Sequence, residues 1–103
     1  MRYLASLVRR IFRAAANMAD ALVAAVRGYR FQLLADLFRA VDGGAAVTIG
    51  YRKADGSESE RVIEPAELRA TEAGDIVVRA HDHQTGEDRT FRIDRITHYR
   101  LAA

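Results

Sequence analysis

Hydrophobic and polar positions along this chain follow a helical period in the first forty residues and a two-residue period after that. Leu4, Leu7, Val8, Ile11, Phe12, Ala15, Met18, Leu22, Val23 and Val26 recur at i, i+3, i+4 and i+7. That spacing predicts an amphipathic helix over residues 3–27. Its apolar face is wide and Ala-rich, which suits close helix packing, and Arg2, Arg9, Arg13, Asp20 and Arg27 lie opposite. Gly28 interrupts the pattern, at a cost of about 1 kcal/mol relative to Ala inside a helix. A second amphipathic segment carries Phe31, Leu34, Leu37, Phe38 and Val41, and Gly43-Gly44 reads as its C-terminal cap. The pattern fits either one helix or a helix pair.

From Val47 the period becomes that of strands. Val47, Ile49 and Tyr51 share one face and Thr48, Gly50 and Arg52 the other. Ile76, Val78 and Ala80 alternate with Val77, Arg79, His81 and His83, and Phe91 and Ile93 alternate with Arg92 and Asp94. Turn signals at 54–57, 72–75 and 84–87 each hold a Gly able to take positive φ. Ile93 and Ile96 are three apart, so a bend or bulge is expected there, with a short fifth strand near His98 to Leu101. The expected fold class is α+β: an N-terminal helix or helix pair followed by a small five-stranded antiparallel barrel.

The residues of this second part resemble a known family. Ile49-x-Tyr51, then Asp55-Gly56, then Arg61-Val62-Ile63-Glu64-Pro65 with Leu68, then Arg89-Thr90-Phe91-Arg92-Ile93-Asp94-Arg95-Ile96 together look like the WYL domain, over roughly residues 31–101. The resemblance implies an Sm-like or SH3-like barrel, found mostly in bacterial transcriptional regulators and thought to bind single-stranded nucleic acid or nucleotide ligands. The Trp-Tyr-Leu tripeptide that names the family should fall at residues 76–78, where Ile76, Val77 and Val78 stand instead. These are good strand formers, so the fold is retained while the aromatic rings are not. The expected organisation is an N-terminal helix over 1–28 and a WYL-like domain over 29–103, with a helix at 30–42 and a barrel at 45–101.

Composition narrows the function. With 103 residues, half of them hydrophobic, the chain has room for one core that buries about 60–68% of the unfolded surface. The absence of cysteine excludes a disulfide framework, a thiol nucleophile and a thiolate metal site. Fifteen of the sixteen basic residues are Arg, a bias attributed first to a GC-rich genome. The net charge of +2 hides an asymmetry, because residues 1–41 carry +5 and residues 42–103 carry −3. Binding to phosphates therefore requires the arginines of the second part to converge on one surface.

The N-terminal stripe exceeds what a barrel already capped by residues 31–41 can cover. We expect it to pack against another chain, most simply a second copy, with Leu4, Val8, Ile11, Phe12, Met18 and Leu22 at the interface. A helix-turn-helix DNA reader needs about three helices with tight turns, so a stand-alone form without one is expected. Two other readings of the helix rank lower. Arg2, Arg9, Arg10 and Arg13 fit an anionic membrane surface, and Arg9-Arg10-x-Phe12 echoes a twin-arginine export signal that Asn17, Asp20 and Arg27 interrupt. No 18-residue run lacks a charge, so no transmembrane span is expected, and the expected location is cytoplasmic.

Catalytic constellations are sparse. His81-Asp82-His83 sets two imidazoles at i, i+2, but only His98 and scattered carboxylates could complete a metal site, so a polar strand end is the better reading. There is no phosphate-binding Gly-rich loop and no nucleophile elbow, and Glu58, Glu60, Glu64 and Glu67 read as an exposed strand face and a turn. The chain is expected to be a non-enzyme that needs no cofactor. Arg61, Arg89, Arg92 and Arg95, at positions the resemblance marks, with Tyr51 and His81 beside them, are the candidate contacts to single-stranded nucleic acid or a nucleotide. Arg92 leads because it alternates outward between Phe91 and Ile93. The competing reading is an assembly module that oligomerises and binds no nucleic acid.

Overall fold

The structure, a computed structural model, describes residues 2–102, with side chains inside the helix described from residue 18 onward. One continuous helix, α1, spans Arg2–Gly43. Of the two arrangements the pattern fits, the single helix is the one formed, and it runs through Gly28. Ala, Leu and Arg neighbours are strong helix formers that absorb the glycine's cost, and an added Cβ at Gly28 would meet nothing within 4 Å. The helix ends in a Schellman motif: Ala45 N–H donates to Ala40 C=O at 3.0 Å, Gly44 N–H donates to Val41 C=O at 3.4 Å, and Gly44 takes φ 62°.

The chain divides into two units, residues 1–31 and 32–103. In the first, Met18, Leu22, Val23, Val26 and Phe31 are exposed, Phe31 by 75%. The expected interface residues Leu4, Val8, Ile11 and Phe12 lie outside the described side chains.

The second unit holds the core. Five strands follow α1: β1 (Val47–Arg52), β2 (Glu58–Ala70), β3 (Ile76–Asp82), β4 (Glu87–Arg92) and β5 (Ile96–Leu101), with a 3-10 turn at Ile93–Arg95 where a bend was expected. All neighbouring strands are antiparallel, in the order β4-β3-β2-β1-β5. The three turn glycines, Gly56, Gly74 and Gly86, take φ of 87°, 89° and 73°.

The 13-residue β2 bends the sheet. Residues up to Ile63 pair with β1, residues from Ile63 onward pair with β3, and the register slips between Pro65 and Glu67. Proline has no N–H to give a ladder, so a bulge is where a strand tolerates it. The resulting curl brings β1 against β4, which are not sheet neighbours. Tyr51 and Phe91 meet edge to face with ring centroids 5.1 Å apart, and the Arg92 N–H donates to the Tyr51 hydroxyl at 3.1 Å.

Leu33, Leu37 and Ala40 of α1 close the core over Val47, Ile49, Ile63, Val78, Phe91 and Ile96. The helix face that does so shares Leu37, and in part Leu34, with the one expected, but is turned away from Phe31 and Phe38. Phe38 is 57% exposed and Phe31 faces solvent, Leu34 is only partly buried, and Asp36 is buried instead. Two sets, 33-37-40 and 34-37-38-41, share Leu37 and satisfy the same period. The buried set is the one whose carboxylate finds partners, since the Tyr99 hydroxyl donates to Asp36 at 2.7 Å and Gln32 and Arg39 donate at 3.1 and 3.0 Å. These bonds, that of Tyr99 foremost, hold the Asp36 carboxyl below the usual aspartate range.

Candidate nucleic-acid interface

Strand alternation decides which arginines turn inward. In β2, Arg61 shares the buried face with Ile63 and Pro65, and in β3, Asp82 shares it with Val78 and Ala80. Two opposite charges on adjacent strands thus enter the same interior, where an unpaired ion would cost several kcal/mol. They meet in a buried ion pair between the Arg61 guanidinium and Asp82 Oδ2, with Asp82 side-chain exposure at 0%. Asp82 Oδ1 accepts the Gln84 N–H at 2.9 Å, and Arg61 Nε donates to Ser59 at 3.2 Å. Burial pushes the Asp82 carboxyl up, but the backbone N–H of Gln84 and the Arg61 guanidinium outweigh it, and the group lies below its ordinary value.

Arg89 approaches the same carboxylate from β4, its Nε 3.8 Å from Asp82 Oδ2 and its Nη2 3.7 Å from Glu87. In front of this pair of arginines opens a cleft of about 420 Å³ lined by Tyr51, Lys53, Arg61, Arg89, Thr90 and Phe91. Three of the six lining residues are cationic and none is acidic. A second cleft of about 440 Å³, lined by Glu60, Arg61, Val62, His83 and Gln84, shares Arg61 with the first.

The cleft therefore joins Tyr51, Arg61 and Arg89 of the expected set, and adds Lys53 and Thr90. The others sit elsewhere. Arg92 is half-buried and divides its guanidinium between Asp94, at 2.6 and 2.9 Å, and Asp75, at 3.1 Å. The Asp94 bond in particular raises its already high pKa. Arg95 is partly buried in the 3-10 turn, and His81 is exposed on β3 with Nδ1 3.1 Å from Asp88. The His81 and His83 rings stand 5.9 Å apart, and no group of three metal-ligating side chains comes together among the described residues. At the tripeptide position, Val77 and Val78 are buried and Ile76 is 41% exposed.

Sequence reasoning passed over Asp82. The signal was present, because the inward series Ile76, Val78, Ala80 continues to residue 82, where a carboxylate demands a buried cation. Lys53 was missed because it lies in a turn, where alternation gives no direction. Among the described residues, no helix is long and apolar enough to cross a membrane.

Among solved structures, the fold is similar to the proteasome accessory factor B/C (PafBC) of Arthrobacter aurescens, with 21% identity and a TM-score of 0.66. The match covers 73% of this chain but 12% of that one, so the chain corresponds to a small part of its neighbour. No curated protein matches the sequence. The WYL domain profile matches residues 32–101. That is more than half of the sequence and includes every strand, so the chain belongs to the WYL-domain family.

Proposed function

We propose that this chain is a non-catalytic WYL regulatory module, in a transcription-regulatory or defence-related system of the cytoplasm, that binds single-stranded nucleic acid or a nucleotide. The observation that carries the reading is the convergence of Lys53, Arg61 and Arg89 on one cleft without an acidic lining residue. Guanidinium groups give charge-assisted, bidentate bonds to phosphate, and two of them set side by side suit a polyanion. The lining offers charge and rings rather than a nucleophile paired with a base, in keeping with a binding module. We take the curled sheet as the small Sm/SH3-like barrel of the family.

Arg89 becomes the leading contact. Its side chain is 43% exposed and its two carboxylates stand beyond hydrogen-bond distance, whereas Arg61 is locked to Asp82. Arg92, Arg95 and His81 would extend the contact along the surface, Arg92 only after release from Asp75 and Asp94. Fluorescence anisotropy with a labelled single-stranded oligonucleotide tests this. Arg89→Ala should weaken binding by about 1–3 kcal/mol, the range for a charge-assisted contact. An unchanged affinity removes the cleft from the reading.

A second reading is favoured by a different observation. Met18, Leu22 and Val26 are 69%, 66% and 53% exposed on α1, a run of large apolar side chains that suits assembly with a second copy. The two readings are compatible if the helix passes the signal on, and they separate if the chain oligomerises but binds no strand.

A further inference from the structure

The binding reading above can be carried to the chemical group that the cleft recognises. Two kinds of contact hold single strands: cations on the backbone and ring faces on the bases, each stacked base being worth about 1–3 kcal/mol. Here the rings are already engaged. Tyr51 and Phe91 are 9% and 3% exposed, their planes lie 82° apart in mutual contact, and the Tyr51 hydroxyl is occupied by the Arg92 N–H. No other lining residue is aromatic, and the tripeptide position, where Trp and Tyr would fall at 76 and 77, holds the aliphatic Ile76 and Val77, neither of which lines the cleft. The cationic side is differently placed. Arg61 is fixed against Asp82, which leaves Arg89, Lys53 and the Thr90 hydroxyl as donors at the cleft surface.

We propose that the cleft reads a phosphate group alone, seated among Arg89, Lys53 and Thr90 against the fixed Arg61–Asp82 pair, and that it makes no stacking contact with a base. The phosphate can belong to a strand's backbone or to a free phosphorylated nucleotide, and either gives binding that is blind to sequence. Asp82 acts as a positioning residue, because it holds Arg61 as the rear wall of the cleft and draws Arg89 toward the same point. Arg92 and His81 take no part in this contact, since they lie outside the cleft lining.

The test is a competition against a labelled oligothymidylate bound to the intact chain, with four competitors: unlabelled oligothymidylate, a fully abasic strand of equal length, thymidine, and thymidine monophosphate. The inference expects the abasic strand to compete within about threefold of the base-bearing one, and thymidine not to compete at all. Arg89→Ala and Lys53→Ala, both surface changes, should each weaken the two strands by equal factors of about tenfold, the effect of losing one such contact. If thymidine monophosphate competes as well as either strand, the phosphate comes from a free nucleotide; if only the strands compete, it comes from the backbone. An abasic strand more than about tenfold weaker overturns the inference while leaving nucleic-acid binding in place. If the parent chain binds neither the labelled strand nor the nucleotide, the inference and the binding reading fall together.

Discussion

The Asp82→Ala substitution probes the architecture behind the cleft. Among the described residues it removes the only carboxylate that the buried Arg61 guanidinium contacts, in a site where Arg61 and Asp82 side chains are 9% and 0% exposed. Breaking such a pair from one side costs about 3–5 kcal/mol, because the surviving charge stays buried without a partner. Loss of the bond from the Gln84 N–H adds at most about 1 kcal/mol, since that turn is open to water. A folded unit of this size has roughly 4–11 kcal/mol of stability. The substitution therefore removes about a quarter of it or more and lowers the melting temperature by at least about 12 °C. Urea unfolding followed by circular dichroism measures the loss directly. The double change Arg61→Met with Asp82→Leu should recover much of it, because it removes both charges and keeps the volume. A loss below about 1 kcal/mol for Asp82→Ala would falsify the claim that the pair is buried and intact.

Further outcomes follow from the same geometry. Tyr51→Phe keeps the ring against Phe91 but strands the Arg92 N–H, and should cost about 1 kcal/mol in a thermal melt. Asp82 and Asp36 have carboxyls below their ordinary values, so the stability they contribute is present above an unfolded-state pKa of about 3.9 and is lost as pH falls through the lower folded values; acid titration by circular dichroism should place the loss below pH ~4. Arg92→Ala should weaken strand binding less than Arg89→Ala does, because two carboxylates already hold its guanidinium. Light scattering of the intact chain should give at least a dimer, and Leu22→Glu should shift the mass toward the monomer; a monomeric parent refutes the assembly role of the exposed helix side chains.

The glycine turns and the strands beside them were legible in the sequence because their signals are local, whereas the turn expected at Pro65 is a bulge inside β2, since the proline's missing N–H interrupts the ladder without ending the strand. Val47, Ile49 and Tyr51 alternate, and the glycines at 56, 74 and 86 sit where the chain must reverse. The bend before Ile96 was legible for the same reason, since Ile93 and Ile96 cannot face one side of a straight strand. The helix was harder. Gly28 weakens a helix without forbidding it, and only packing decides between Leu33 and Leu34 as the buried residue of a doubly satisfied period. The site was legible in part. Arginines at 61, 89, 92 and 95 could be found from the sequence, but their grouping depends on which carboxylates reach them, and those contacts span up to 21 residues. Arg92 reads from sequence as an outward, available cation, but Asp75, from the turn between β2 and β3, stands beside it.

The central claim is that the cleft formed by Lys53, Arg61 and Arg89 binds the phosphates of a single strand. Its most direct measurement is the salt dependence of strand binding for the parent and for Arg89→Ala. On a log–log plot each phosphate contact contributes a slope of roughly −0.7 for a single strand. The account predicts a parent slope of about −1.4 for contacts from the two available cations, Arg89 and Lys53, made shallower by about 0.7 in Arg89→Ala. A parent affinity that does not respond to salt, or parallel slopes for the two proteins, would contradict it.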